Sequence, residues 1–136
     1  MKLRNQNKTI TMNIEDVREY CLKKAGVSEG CPFGPNVLVL KVMSKMFATL
    51  SLDADRDMNL KCDPEKSLEL RDEHEFVVEG YHMNKKHWNT IKDVQAVDEE
   101  LLSELIDHSY ELVEKGLKKG EKEELKLLKE AQENEE

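Results

Sequence analysis

Residues 99–117, EELLSELIDHSYELVEKGL, place Leu101, Leu102, Leu105, Ile106, Leu112 and Val113 at helical spacing on one face, behind the N-cap residue Asp98. A helix with one apolar face needs an apolar surface to cover. VLVLKVM (residues 37–43) and KMFATLSL (residues 45–52) supply that surface: they are β-branched and apolar, with a short polar joint at Ser44. MNLKC, after the turn-forming DADRD, provides a third strand. The chain is thereby constrained to an antiparallel sheet with helices laid across it.

The remaining elements fit that frame. Asn13 is a good N-cap, Glu15 and Asp16 fall in the first turn, and Ile14, Val17, Tyr20, Cys21 and Ala25 recur at helical spacing, predicting a helix over about residues 13–25 that Gly26 ends. SEGCPFGPN is a loop. Asp63 followed by Pro64 starts a second, short helix. FVVEGYHM and HWNTIK read as strands four and five, joined by a turn at residues 84–86. The expected fold is α+β: two layers, a five-stranded antiparallel sheet with helices on one face, in the order α-β-β-β-α-β-β-α. Residues 1–12 form a flexible leader, 13–118 the domain, and 119–136 a charged, partly helical tail with few apolar anchors.

A chain of 136 residues holds one modest core. No apolar run approaches the roughly 20 residues that span a bilayer, so a cytoplasmic protein, without a membrane partner, is expected. Three cysteines in no tight pair, Cys21, Cys31 and Cys62, read as reduced packing residues. The net charge of −8 is unevenly spread: residues 1–12 carry +3 and residues 115–136 carry −1, which leaves −10 for the body. Such a field repels nucleic acid at long range, so any contact with it must rest on a local basic patch.

One stretch answers that description. Residues 80–92, GYHMNKKHWNTIK, gather three lysines, two histidines, two asparagines and the only tryptophan, with no acid among them. Lysines, amides and an aromatic plane hold phosphates and stack on bases. The same residues also suit a strand whose tryptophan packs inward while its lysines are solvated. The PFG loop and the segment from His82 to Trp88 are a further candidate, lining a shallow cavity for a small anionic ligand. An exposed sheet face with Met43, Met46 and Met58 would suit a protein partner or a second copy of the chain, although methionines there also serve as core filler.

No catalytic constellation is found and no enzyme is expected. Asp107, His108, Ser109 and Tyr110 are adjacent in sequence, but neighbouring helix positions point about 100° apart and cannot converge on one substrate. Tyr110 is expected to anchor its helix with the hydroxyl bonded at the rim. His82 and His87 lack a third ligand at metal spacing, so no metal site and no cofactor are expected.

In combination CPFGPN, KVMSKMFATLSL, NLKCDPEKSLELR, GYHMNKKHWNTI and LIDHSYELV resemble the MmcQ/YjbR family, over residues 13–118. The resemblance implies a small α+β domain, similar to type III secretion chaperones and to the frataxin-like sheet. It also implies DNA binding, a role ascribed to the family because two β-hairpins are shaped like paired wings. Carried onto this chain, the first wing falls at residues 43–45 and the second at residues 84–86. Lys45, Lys85 and Lys86 would contact phosphates, Asn84 and His87 would make polar or base-edge contacts, and Trp88 would stack or support the core. Lys41 and Lys61 would extend the surface, whereas Asp53, Asp55 and Asp57 would cancel its field if they faced the same way. A monomer or weak dimer is expected.

Overall fold

The computed structural model describes residues 9–135. Helix α1 (Ile14–Leu22) opens with a reciprocal cap: the Asn13 side chain accepts from the Asp16 amide at 2.8 Å, and the Asp16 carboxylate accepts from the Asn13 amide at 3.3 Å. Strands β1 (Val27–Gly30), β2 (Val37–Val42), β3 (Lys45–Ser51) and β4 (Met58–Lys61) follow. Helix α2 (Pro64–Glu73), capped by Asp63 with proline at its start, leads to β5 (Val77–Glu79) and β6 (Trp88–Ile91). A short 3-10 turn precedes α3 (Glu99–Lys115), which Asp98 caps, and α4 (Lys119–Glu135) ends the described chain.

The sheet is antiparallel in the order β1-β2-β3-β4-β6-β5 and has six strands, not the five expected from the sequence. The additional strand is β1. Its residues VSEG are half-buried to exposed and carry no alternation, and its order comes from pairing with the edge of β2. Alternation elsewhere divides the sheet into two faces. Leu38, Leu40, Leu50, Met58, Leu60, Val77 and Ile91 join the core cluster with Val17, Leu70, Leu102, Ile106 and Leu125, so all four helices contribute to the same face. Val37, Met46, Thr49, Asn59, Trp88 and Thr90 occupy the other face, which the helices leave uncovered.

A bulge in β3 modifies this alternation. Leu40 pairs with Ala48 and Lys41 with Met46, so Phe47 has no partner opposite it. Its ring instead enters the helix layer, edge-on to Tyr110 at 5.5 Å and 89°. Within α3, Ser109 and Tyr110 are buried, while Leu101 and Leu112, expected on the apolar face, are only half-buried.

Both termini pack more closely than their composition suggests. Leader residues 1–8 lie outside the described residues, but Thr11 bridges Asp98, the Ile10 carbonyl accepts from the Glu99 amide at 2.7 Å, and Met12 is buried. The tail is one continuous helix whose anchor, Leu125, is buried against the β2–β3 turn. Gly26 makes that fit possible: at φ +73° a side chain is strained, and a Cβ would lie 2.8 Å from a Leu125 methyl and 2.9 Å from the Met43 sulfur. None of the described helices is long and apolar enough to cross a membrane.

Of the three cysteines, Cys21 and Cys62 are buried and Cys31 is exposed, so the packing role fits only the first two. Burial pushes the Cys21 thiol up to about 12 and raises that of Cys62. In native protein a thiol-reactive disulfide reagent is expected to titrate one cysteine per chain, with the other two appearing only in denaturant. Rapid reaction of all three in the native state would contradict this packing.

Candidate nucleic-acid interface

The sheet register brings both candidate wings to one end of the molecule. Lys45 pairs with Val42 across a turn made by Met43 and Ser44, with Met43 at φ 55°. Ala48 pairs with Leu60, and Lys61 with Trp88, so the start of β3, the end of β4 and the start of β6 lie level. The Cys62 amide extends that ladder with a 2.9 Å bond to the His87 carbonyl. With β4 between them, β3 and β6 stand about 10 Å apart. Lys45, Lys61, Lys85, Lys86 and His87 therefore share one end of the sheet.

The second wing is not an extended hairpin arm. Residues 80–87 fold into two tight turns, closed by Met83 N–H to the Gly80 carbonyl at 3.3 Å and Trp88 N–H to the Asn84 carbonyl at 2.9 Å. The Asn84 side-chain oxygen accepts from the amides of Lys86 at 2.9 Å and His87 at 3.2 Å. Asn84 thus fixes the turn, with only its NH₂ left for an outside contact, and Lys85, Lys86 and His87 are exposed at the tip. Trp88 is half-buried, and its carbonyl accepts from the Gly80 amide at 2.9 Å.

Arg71 secures this turn from beneath. Its guanidinium donates to the Lys85 carbonyl at 2.5 Å, to the Trp88 carbonyl at 3.4 Å and to the buried Asn89 side chain at 2.8 Å. No spacing in the sequence marks it; it is one basic residue in the last turn of a short helix. Lys45 and Lys61 border a hollow with Leu112, Val113 and Gly116, where α3 ends and its last carbonyls favour positive charge.

The acidic turn lies elsewhere. Asp53, Asp55 and Asp57 follow the far end of β3, which spans about 20 Å from Lys45 to Ser51. That exceeds the roughly 8 Å screening length of physiological salt, so these carboxylates do not neutralise Lys45 at the first turn.

The other candidates part company. Among the described residues, Asp107 pairs with Lys24 and Tyr20, His108 accepts from the Asp63 amide at 3.1 Å, Ser109 donates to the Phe47 carbonyl at 2.6 Å, and Tyr110 donates to the Ala25 carbonyl at 2.7 Å. Those four side chains point to four places. The His82 ring lies against that of Tyr81, tilted by 52° with ring centres 4.1 Å apart, whereas His87 is at the exposed tip.

His108 reports on the local field. Partial burial, then the charges of Lys66 and Lys115, lower its pKa from the ordinary value, despite Asp63 and Glu111 nearby. The unfolded chain therefore binds this proton more readily, and stability is expected to fall as pH drops from about 6.5 towards the depressed native value and then to level off for this group. Urea midpoints between pH 7.5 and 5 should show a slope that His108→Gln reduces; an unchanged slope would contradict this origin.

A helix-backed α+β domain with two turns at one end of its sheet defines the structural class. The chain belongs to the YjbR family, whose model matches residues 22–112. It is 40% identical over 106 residues to the uncharacterised protein YbdF of Escherichia coli O157:H7, covering 77% of this chain and 87% of that protein. With the uncharacterised YyaQ of Bacillus subtilis it shares 32% identity over 113 residues, covering 72% and 95% respectively. The crystal structure of a Deinococcus radiodurans protein with a DUF419 domain superposes with a TM-score of 0.76 at 40% identity, over 85% of this chain and 88% of that one. A Pseudomonas syringae protein gives a TM-score of 0.65 at 25% identity, over 74% and 98%.

Proposed function

We propose that the domain binds DNA through the phosphate backbone, using the basic end of the sheet. The observation that carries this reading is the register, which sets Lys45 at the start of β3 level with the start of β6, two strand spacings (about 10 Å) away, where the turn of Lys85 and Lys86 ends, while the acidic turn follows the far end of β3. In this reading the three lysines contact phosphates, and His87 adds a polar contact beside Lys86. Asn84, Arg71 and Trp88 hold the second turn in place rather than reading bases. The set is short of base-reading groups, so binding is expected to depend weakly on sequence.

Three phosphate contacts predict a log-log salt slope of about −2.7, or roughly a fortyfold loss of affinity between 50 and 200 mM salt on duplex DNA. Labelled duplex titrated at several salt concentrations measures it. A salt-independent affinity, or no binding at the lowest salt, would overturn the proposal.

A further inference from the structure

The helix-free face of the sheet carries a second site of a different chemistry. A cavity of about 530 Å³ lies over it, within the size range of small-ligand pockets. Its floor is Val37, Met46, Thr49 and Asn59. Phe33, from the loop between β1 and β2, forms one wall, and Tyr81, His82 and Met83 form another. Asp53, Asp55 and Asp57 close one end.

The Tyr81 wall is anchored to the sheet. The Tyr81 amide donates to the Thr90 hydroxyl at 2.9 Å, and that hydroxyl donates to the Asn59 side chain at 2.5 Å. Phe33 and Tyr81 are nonetheless 72% and 70% exposed, leaving two aromatic rings open to a guest. Among the described residues none of the three aspartates is ion-paired, because Arg56, within their own turn, pairs with Asp93 at 3.2 Å. A hydrogen bond from Ser51 holds the Asp55 carboxyl below its usual range, with a smaller contribution from Lys92. The lining contains three carboxylates and no lysine or arginine, which favours a cation over the anionic guest suggested by the glycine-bearing loop.

From this arrangement we infer that the open sheet face binds a small alkylammonium ligand, its charge at the aspartate turn and its carbon chain along Val37 and Met46 between the rings of Phe33 and Tyr81. Carboxylates attract the ammonium, and the two rings and the floor take the aliphatic part. No lysine lines this cavity, although its wall of Tyr81, His82 and Met83 leads directly into the turn of Lys85 and Lys86, and the site does not depend on the DNA reading.

The test is an amide chemical-shift titration of the full chain with hexylammonium, hexanol and hexanoate. Hexylammonium is expected to shift residues 49–59 and 81–83, with at least tenfold higher affinity than either control. Asp53→Asn with Asp55→Asn should reduce it to the level of hexanol. Asp53→Asn alone, whose side chain makes no hydrogen bond among the described residues, should weaken it about threefold without risk to the turn. Equal binding of the neutral alcohol, shifts confined to other surfaces, or indifference to both aspartate variants would overturn the inference.

Discussion

Phe47→Ala is expected to cost about 3–5 kcal/mol of folding stability, the range for removing a buried aromatic ring, and to lower the melting temperature by roughly 10–20 °C. The ring is fully buried and meets Tyr110 edge-on, while its residue is the unpaired one of the bulge. Sheet pairing therefore does not hold Phe47 in place; packing against α3 does. Its carbonyl also accepts from Ser109, whose hydroxyl in turn accepts from the Lys61 amide at 2.9 Å, so the position links α3 to two strands. Truncation leaves a cavity at that junction that neighbours fill only in part. Met46→Ala, one residue away and only half-buried on the helix-free face, should cost only about 1 kcal/mol. Chemical denaturation of both variants decides the matter: a loss at Phe47 no larger than at Met46 would mean that the bulge does not direct the ring into the core.

Gly80→Ala is expected to cost about 2–4 kcal/mol, combining overpacking with a strained backbone hydrogen bond. The added Cβ would lie 2.8 Å from the Trp88 Cβ and carbonyl oxygen and 3.0 Å from its carbonyl carbon. Two of those contacts are backbone and cannot swing aside. The bond from the Gly80 amide to the Trp88 carbonyl, which closes the base of the second turn, would be strained in the same movement. DNA affinity should fall as well, although every lysine remains, because the turn that presents Lys85 and Lys86 loses its base. Unfolding and binding measured on one preparation separate the two effects. Unchanged stability would refute the close approach, and unchanged affinity despite lost stability would show that the geometry of this turn is unimportant for binding.

Much of the fold is legible in local sequence because its signals are strong there. The caps at Asn13, Asp63 and Asp98, the apolar runs of β2 and β3, and the amphipathic α3 are each explained by residues within a few positions. Strand β1 is not legible, since VSEG owes its order to the free edge of β2. Nor is the continuity of α4, which depends on one leucine entering a space that Gly26 leaves open.

The candidate site divides in the same way. Its charges stand in the sequence, but their placement depends on strand order. A meander through β2, β3 and β4 sets the turn at Ser44 and the turn at Asp55 at opposite ends once three antiparallel strands are accepted. The side on which residues 81–87 emerge is fixed only because β6, rather than β5, pairs with β4. Arg71 and the capping role of Asn84 are likewise tertiary: each is defined by a carbonyl or amide that the fold brings to it.

The most direct test of the account is fluorescence anisotropy of labelled duplex DNA with the wild type, with Lys85→Glu/Lys86→Glu, and with Asp53→Asn/Asp55→Asn, all at low salt and with native folding checked. The wild type is expected to bind at micromolar concentration, to lose at least a hundredfold on reversal of the lysines, and to lose no affinity when the aspartates are neutralised. Retention of binding by the folded lysine variant, or absence of binding by the wild type at low salt, would contradict the account.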